Sequence, residues 1–157
     1  MGASPLFPLF VALFFLGIAA LGRNHLEMSR SQTTTVADTV LQAGAFLHYR
    51  GAVTAYAVAH PGWTGTVPAA HLDGQGITTA VQGLFSHQVV ASTAGRQVVV
   101  YAGMPGKGYE VYRQAEGDAS IGVAVNGQFQ SFNQGLPAVL PIAVPDGSVI
   151  SFVEAGN

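Results

Sequence analysis

The fold turns on the stretch TVADTVLQAGAFLHYRGAVTAYAVAHPG, residues 35–62. No proline interrupts it before Pro61, and Val36, Val40, Ala43, Phe46, Leu47, Val53 and Tyr56 recur mostly three or four places apart. At about 3.6 residues per turn that spacing puts them on one face of an amphipathic helix. Thr35 with Asp38 three places on gives a capping-box-like start, with Asp where Glu is usual. Pro61 pushes His60 out of the α region and Gly62 accommodates positive φ, so the helix is expected to end at His60-Pro61-Gly62 after about seven turns. Phe46 and Val53 are expected to be buried against whatever covers this face.

The cover is a sheet. Gln97-Val-Val-Val-Tyr-Ala102 is the strongest strand by β-branched content, with Gln88 to Thr93 and Ile77 to Leu84 as weaker ones. Asn126-Gly127 sits between Ile121–Val125 and Gln128–Phe132, which predicts a two-residue hairpin turn with positive φ at both positions. Pro145-Asp146-Gly147 reads as a turn feeding a last strand, Ser148–Val153. Gly62 to Gly76 is a loop around the single tryptophan, Trp63, and Gly106 to Gly117 fits either a short helix or a strand with a turn. The expected architecture is α+β, a long helix on one face of an antiparallel sheet of about four strands.

Before residue 35 the chain changes character. Pro5 to Leu21 is an uncharged apolar run of 17 residues, at the lower limit for a helix crossing a hydrocarbon core about 30 Å thick. Leu6, Phe7, Leu9, Phe10, Leu13, Phe14, Phe15 and Leu16 are its anchoring residues, and Pro5 and Pro8 fall in the first turns, where proline is tolerated. The rival reading is a cleavable signal peptide ending near Ala20-Leu21-Gly22, although no Lys or Arg precedes the run. The expected organisation is a transmembrane anchor over 1–22, a polar junction over 23–34 and an α+β domain over 35–157. Arg23 and Arg30 after the run favour a cytoplasmic C-terminal part by charge count. The composition favours export: one lysine, 9% charged residues, and abundant Thr, Gly, Ala and Val. The domain is read as periplasmic.

The same composition excludes several functions. A net charge of −2 with no basic cluster argues against nucleic-acid binding. The absence of cysteine removes disulfides and thiolate metal sites. His25, His48, His60, His71 and His87 show neither an H-E-x-x-H motif nor an i, i+4 pair. Ser86-His87 is adjacent in sequence only, and no G-x-S-x-G elbow occurs. Gly103-Met-Pro-Gly-Lys107-Gly108 departs from the phosphate-loop spacing, with Gly108 where a hydroxyl should stand. The carboxylates Asp38, Asp73, Glu110, Glu116, Asp118 and Glu154 are scattered. No catalytic residue, metal ligand or cofactor site is expected, nor a small-molecule substrate. Tyr56 and Trp63, at the helix end where the loop begins, are the first candidates for a protein-interaction surface.

The opening PLFPLFVALFFLGIAALGRNHLEMSR, the segment AVAHPGWTGTVPAAHL at 57–72, the hairpin VAVNGQFQS at 123–131 and the closing LPIAVPDGSVISF at 140–152 together cover most of the chain. On these it resembles the PilM family of type IVB thin-pilus biogenesis proteins encoded by conjugative plasmids. The resemblance implies an inner-membrane, non-enzymatic part of a pilus basal body or pilin-transport apparatus. Its partners would be other pilus-assembly or secretion proteins, pilin subunits among them. Two alternatives stand beside it: an exported soluble binding module released by signal cleavage, and an unprocessed minor-pilin-like subunit. The order of long helix then sheet is pilin-like. Glu27 stands fifth after Gly22 as in a processed prepilin, but Met-Ser-Arg-Ser-Gln after it is too polar for a buried stem.

Overall fold

The computed structural model describes residues 36–155. The chain divides into Met1–Asp38 and Thr39–Asn157, and every strand belongs to the second unit. The anchor residues Leu6 to Leu16, the junction and Thr35 lie outside the described residues. Among the described residues no helix is long and apolar enough to cross a membrane.

Helix α1 occupies 36–59, close to the expected span. Its inward residues Ala43, Phe46, Tyr49, Val53 and Ala57 are buried in one cluster with Val89, Val98, Val100, Ile121 and Val149 from the strands. Phe46 and Val53 are both 0% exposed, so the helix covers one face of the sheet, but Val36 (63% exposed) and Val40 (40%), from the same apolar stripe, lie outside the core because the first turns of the helix run past it. Each large side chain buried in this way contributes about 1.5–3 kcal/mol. The helix stops where expected, with His60 N–H donating to Tyr56 O at 3.0 Å and Trp63 N–H to His60 O at 2.9 Å. The first glycine with positive φ is Gly65 (φ 105°) rather than Gly62.

After α2 (Ala69–Gly74) and α3 (Thr79–Gln82) come β1 (Ser86–Ser92), β2 (Gly95–Ala102), α4 (Gly108–Gln114), β3 (Ile121–Val125), β4 (Gln128–Ser131), β5 (Ala138–Val139) and β6 (Val149–Ala155). The sheet has six strands in the order β1-β2-β6-β3-β4-β5, not four, and every pairing is antiparallel. The last strand lies in the middle of the sheet, joining hairpin β1–β2 to hairpin β3–β4. The β3–β4 turn is as the sequence predicts, with Asn126 at φ 51° and Gly127 at φ 74°. Pro145-Asp146-Gly147 also turns as expected: Ser148 N–H donates to Pro145 O at 3.2 Å with Gly147 at φ 79°. Gly122 on β3 is a close approach, since a Cβ there would meet Gln130 O at 2.2 Å.

Two expectations need correcting. Ile77 to Leu84 is not a strand; the β-branched run Ile77-Thr78-Thr79 is overruled by local hydrogen bonding. Gln82 N–H donates to Thr78 O, and the Gln82 amide reaches back to Ile77 O at 2.9 Å and Asp73 Oδ1 at 2.7 Å. The sheet also has two buried faces. Val98 and Val100 join the α1-side cluster, while Val99 joins a second cluster with Ala124, Phe129, Leu140, Val144 and Ile150. Residues of 138–144 supply the cover on that side, which is why β2 reads as a continuous apolar run instead of an alternating one.

Candidate functional site

The two candidate interaction residues meet at the C-terminal end of α1. The Trp63 ring stands edge-on to Tyr56, centroids 5.7 Å apart at 89°. His60, one turn after Tyr56, stacks on it at 4.0 Å and 21°, and His71 from α2 also meets it, at 4.7 Å and 60°. His60 Nδ1 donates to Tyr56 O at 2.9 Å, which fixes that ring. Enclosed this way, Tyr56 is 8% exposed and belongs to the core, while Trp63 is half-buried. Trp63 Nε1 and His71 Nε2 are buried atoms without a hydrogen-bond partner. Arg96 on β2 is buried beside them and donates to Ala57 O and, at 3.1 Å, to His60 O. Its cation therefore stands at the negative end of the helix and satisfies terminal carbonyls. The i, i+4 spacing of Tyr56 and His60 was the one available signal for this cluster; His71 and Arg96 are too distant in sequence to have given one.

A cleft of about 450 Å³ lies nearby, lined by Tyr49, Val67, Leu72, Phe85, His87 and Tyr101 among others. The Val67 N–H donates to His87 Nε2 at 2.7 Å, so Nε2 carries the lone pair and Nδ1 the proton. Nδ1 then donates to the Tyr49 hydroxyl oxygen, also 2.7 Å away. Burial pushes the His87 ring below its ordinary value and the Tyr49 phenol above its own. With both nitrogens engaged, His87 ties the 65–67 loop and α1 to the edge strand and is not available as a base for the neighbouring Ser86. The same edge is covered by Gly65, which exchanges two backbone hydrogen bonds with Val89 at 2.8 and 2.9 Å.

Several of the described charged side chains serve the fold. Arg50 of α1 donates to Asp118 Oδ2 at 2.6 Å and Ser120 Oγ at 2.8 Å, clasping the α4–β3 turn. Burial raises the Asp118 carboxyl, but the Ser120 N–H and the Arg50 guanidinium outweigh it and hold the group below the usual carboxylate range. Gly103 to Gly108 is a turn into the short α4, and Lys107 Nζ donates to Gln42 Oε1 at 2.7 Å. Among the described residues no group of three or more His, Asp or Glu could hold a metal ion. Beside the Arg50 clasp, α1 borders an open groove of about 700 Å³ lined by Leu47, Arg50, Gly51, Thr54, Val58 and Ala115 among others.

A family model for PilM matches residues 11–152. The chain belongs to the PilM family. The fold also matches the crystal structure of a PilM protein from Escherichia coli B7A, with a TM-score of 0.56 and 24% identity, covering 76% of this chain and 94% of that one. No curated protein matches. The PilM match spans α1, the Tyr56–Trp63 cluster, both hairpins and the segment over the second sheet face, so the resemblance read from the sequence holds.

Proposed function

We propose that this PilM-family protein is a non-enzymatic, membrane-tethered component of a pilus biogenesis apparatus, whose folded domain works by protein contact. The observation that carries the reading is the PilM match across residues 11–152, which implies involvement with pilus-assembly components. Two features support the finer statement. The apolar run Pro5–Leu21 has the composition of an anchor. The groups that would have to do chemistry are tied into the fold: His87 by Val67 and Tyr49, His60 by Tyr56, Asp118 by Arg50. On this reading the chain is single-pass in the inner membrane, as the family resemblance implies, with the α+β domain in the periplasm, a side that the export-like composition supports. Its partners on this reading are other assembly or secretion proteins, pilin subunits included.

The test is a set of single alanine replacements at the histidines and carboxylates, scored for pilus assembly with protein levels and membrane association controlled. Loss of assembly is expected only where the domain itself is destabilised, as at His87 or Asp118. A replacement that abolishes assembly in a folded, membrane-bound protein, together with a turnover activity of the purified protein that the variant lacks, would show the contact-only reading to be wrong.

A further inference from the structure

The hydrogen-bond chain through His87 runs in one direction and, among the described residues, ends on a donor with no acceptor. The Val67 N–H donates to Nε2, so the ring proton sits on Nδ1 and is given to the Tyr49 oxygen. Burial pushes the His87 ring below its ordinary value, so this order stands at neutral pH. The Tyr49 hydroxyl keeps its own proton to donate, and His87 is the one hydrogen-bond partner it has among the described residues. Tyr49 is 2% exposed, and leaving a buried donor unpaired is costly. Groups in such a chain polarise one another, which strengthens the last donor.

That donor lies on the cleft of about 450 Å³ at the β1 edge, a size within the range of about 300–1,000 Å³ usual for small-molecule sites. Beside Tyr49 the wall is apolar, formed by the buried Leu72 and Phe85. Thr66, Ser86, Gln88 and Tyr101, exposed or half-buried, add hydroxyls and an amide. No Lys, Arg, Asp or Glu lines the cleft. A charged ligand would lose water there without gaining a counter-charge, whereas an uncharged one rich in hydroxyls meets matching groups. An added peptide strand has little edge to pair with, because Val89 is already bonded to Gly65 and the Val67 N–H is spent on His87.

We infer that this cleft is a binding site for an N-acetylated hexosamine, whose acetamido carbonyl oxygen accepts the Tyr49 hydroxyl proton. A carbonyl oxygen only accepts, so it answers a donor that lacks a partner. The acetyl methyl then lies against Leu72 and Phe85, and the ring hydroxyls reach Ser86, Gln88 and Tyr101. His87 is a positioning residue: it fixes the Tyr49 oxygen and directs its proton into the cleft. No bond forms or breaks, so the site binds without turning over. The inference goes beyond the proposed function and needs neither the tether nor the pilus role.

The full-length protein, in a detergent without a sugar headgroup, is mixed in turn with N-acetylglucosamine, its linear trimer, glucose and the neutral peptide N-acetylalanine methylamide, and saturation transfer from protein to ligand is measured by NMR. N-acetylglucosamine is expected to bind with a millimolar Kd, as suits so small a ligand, its acetyl methyl receiving the most saturation. Glucose should bind about tenfold more weakly or worse. No transfer to N-acetylglucosamine overturns the inference, as does glucose binding equally well; tighter binding of the peptide gives the cleft to a peptide and overturns the sugar. The trimer separates two sources of the same group, binding more tightly than the single sugar if a glycan chain is the ligand and equally if a free sugar is, and either supports the site. Tyr49→Phe keeps the ring, removes the donor, and should weaken binding about tenfold or more. Because it also takes the acceptor from His87 and so costs stability, Ala69→Trp is made beside it. Ala69 is exposed on α2 and lines the cleft, so a large ring there closes the mouth without touching the hydrogen-bond chain. Ala69→Trp is expected to abolish binding at an unchanged melting temperature, and wild-type binding by either folded variant overturns the inference.

Discussion

The inward and outward faces of α1 are both almost free of charge, yet they differ in size and cover. Inward stand Phe46, Tyr49, Val53 and Tyr56, filling the space above β2, β6 and β3. Outward stand Leu41, Gly44, Gly51, Ala55 and Val58, smaller on average and open to solvent. Burial of large side chains accounts for the first face completely. The second has no such account within the chain. Apolar periodicity alone therefore does not say which side of a helix is core; bulk does.

The largest expected effect falls on the inward face. Phe46→Ala removes a fully buried ring that meets Phe85 edge-on at 5.6 Å, and should destabilise the domain by about 3–5 kcal/mol. Chemical denaturation of the full-length protein in detergent checks this. An unchanged midpoint would erase the distinction between the faces.

The polar link of the inward face predicts a pH dependence. His87 has a folded value below its ordinary 6.5, so the unfolded chain takes up the proton first. Stability should be complete above about pH 6.5 and decline as pH falls from there towards the lower folded value. A second proton on the ring would also set the Nε2–H against the Val67 N–H. His87→Phe should be less stable at pH 8, having left Val67 and Tyr49 unpaired, but flatter between pH 8 and 5. Denaturation curves at both ends of that range decide it, and equal slopes for the two proteins would contradict the assignment.

The smallest effect belongs to the outward face and has the opposite sign. Gly51→Ala adds a Cβ into open space in mid-helix and should raise stability by about 0.5–1 kcal/mol. A loss of stability would mean that Gly51 is held by a contact within the chain.

Much of this fold was legible in the sequence because single residues carried decisive constraints. Pro61 ended α1, Asn126-Gly127 set the hairpin, and Pro145-Asp146-Gly147 set the turn before the last strand. Most of what escaped depended on distant partners. β5 is only two residues long and exists through its pairing with Gln128 and Phe129. The 138–144 segment covers the second sheet face without any periodicity of its own. Ile77-Thr78-Thr79 carried strand propensity that local hydrogen bonding and the Gln82 side chain overruled. The candidate residues Tyr56 and Trp63 were rightly placed together at the helix end, but enclosure by His60 and His71 makes Tyr56 a structural residue. The exposure of the outward face was hidden for a related reason: only burial on the opposite face shows that Leu41 and Val58 are left uncovered.

The proposed function depends above all on the tether, and fractionation probes it. Membranes from cells expressing the full-length protein are washed with high salt and carbonate, beside membranes carrying Phe14→Arg, which sets a cation near the centre of the apolar run at a cost of about 2.5–3.5 kcal/mol. The expected result is full-length wild-type protein in the pellet and a shift of Phe14→Arg to the supernatant. A soluble wild-type species beginning near Arg23, or Phe14→Arg pelleting as wild type does, would contradict it.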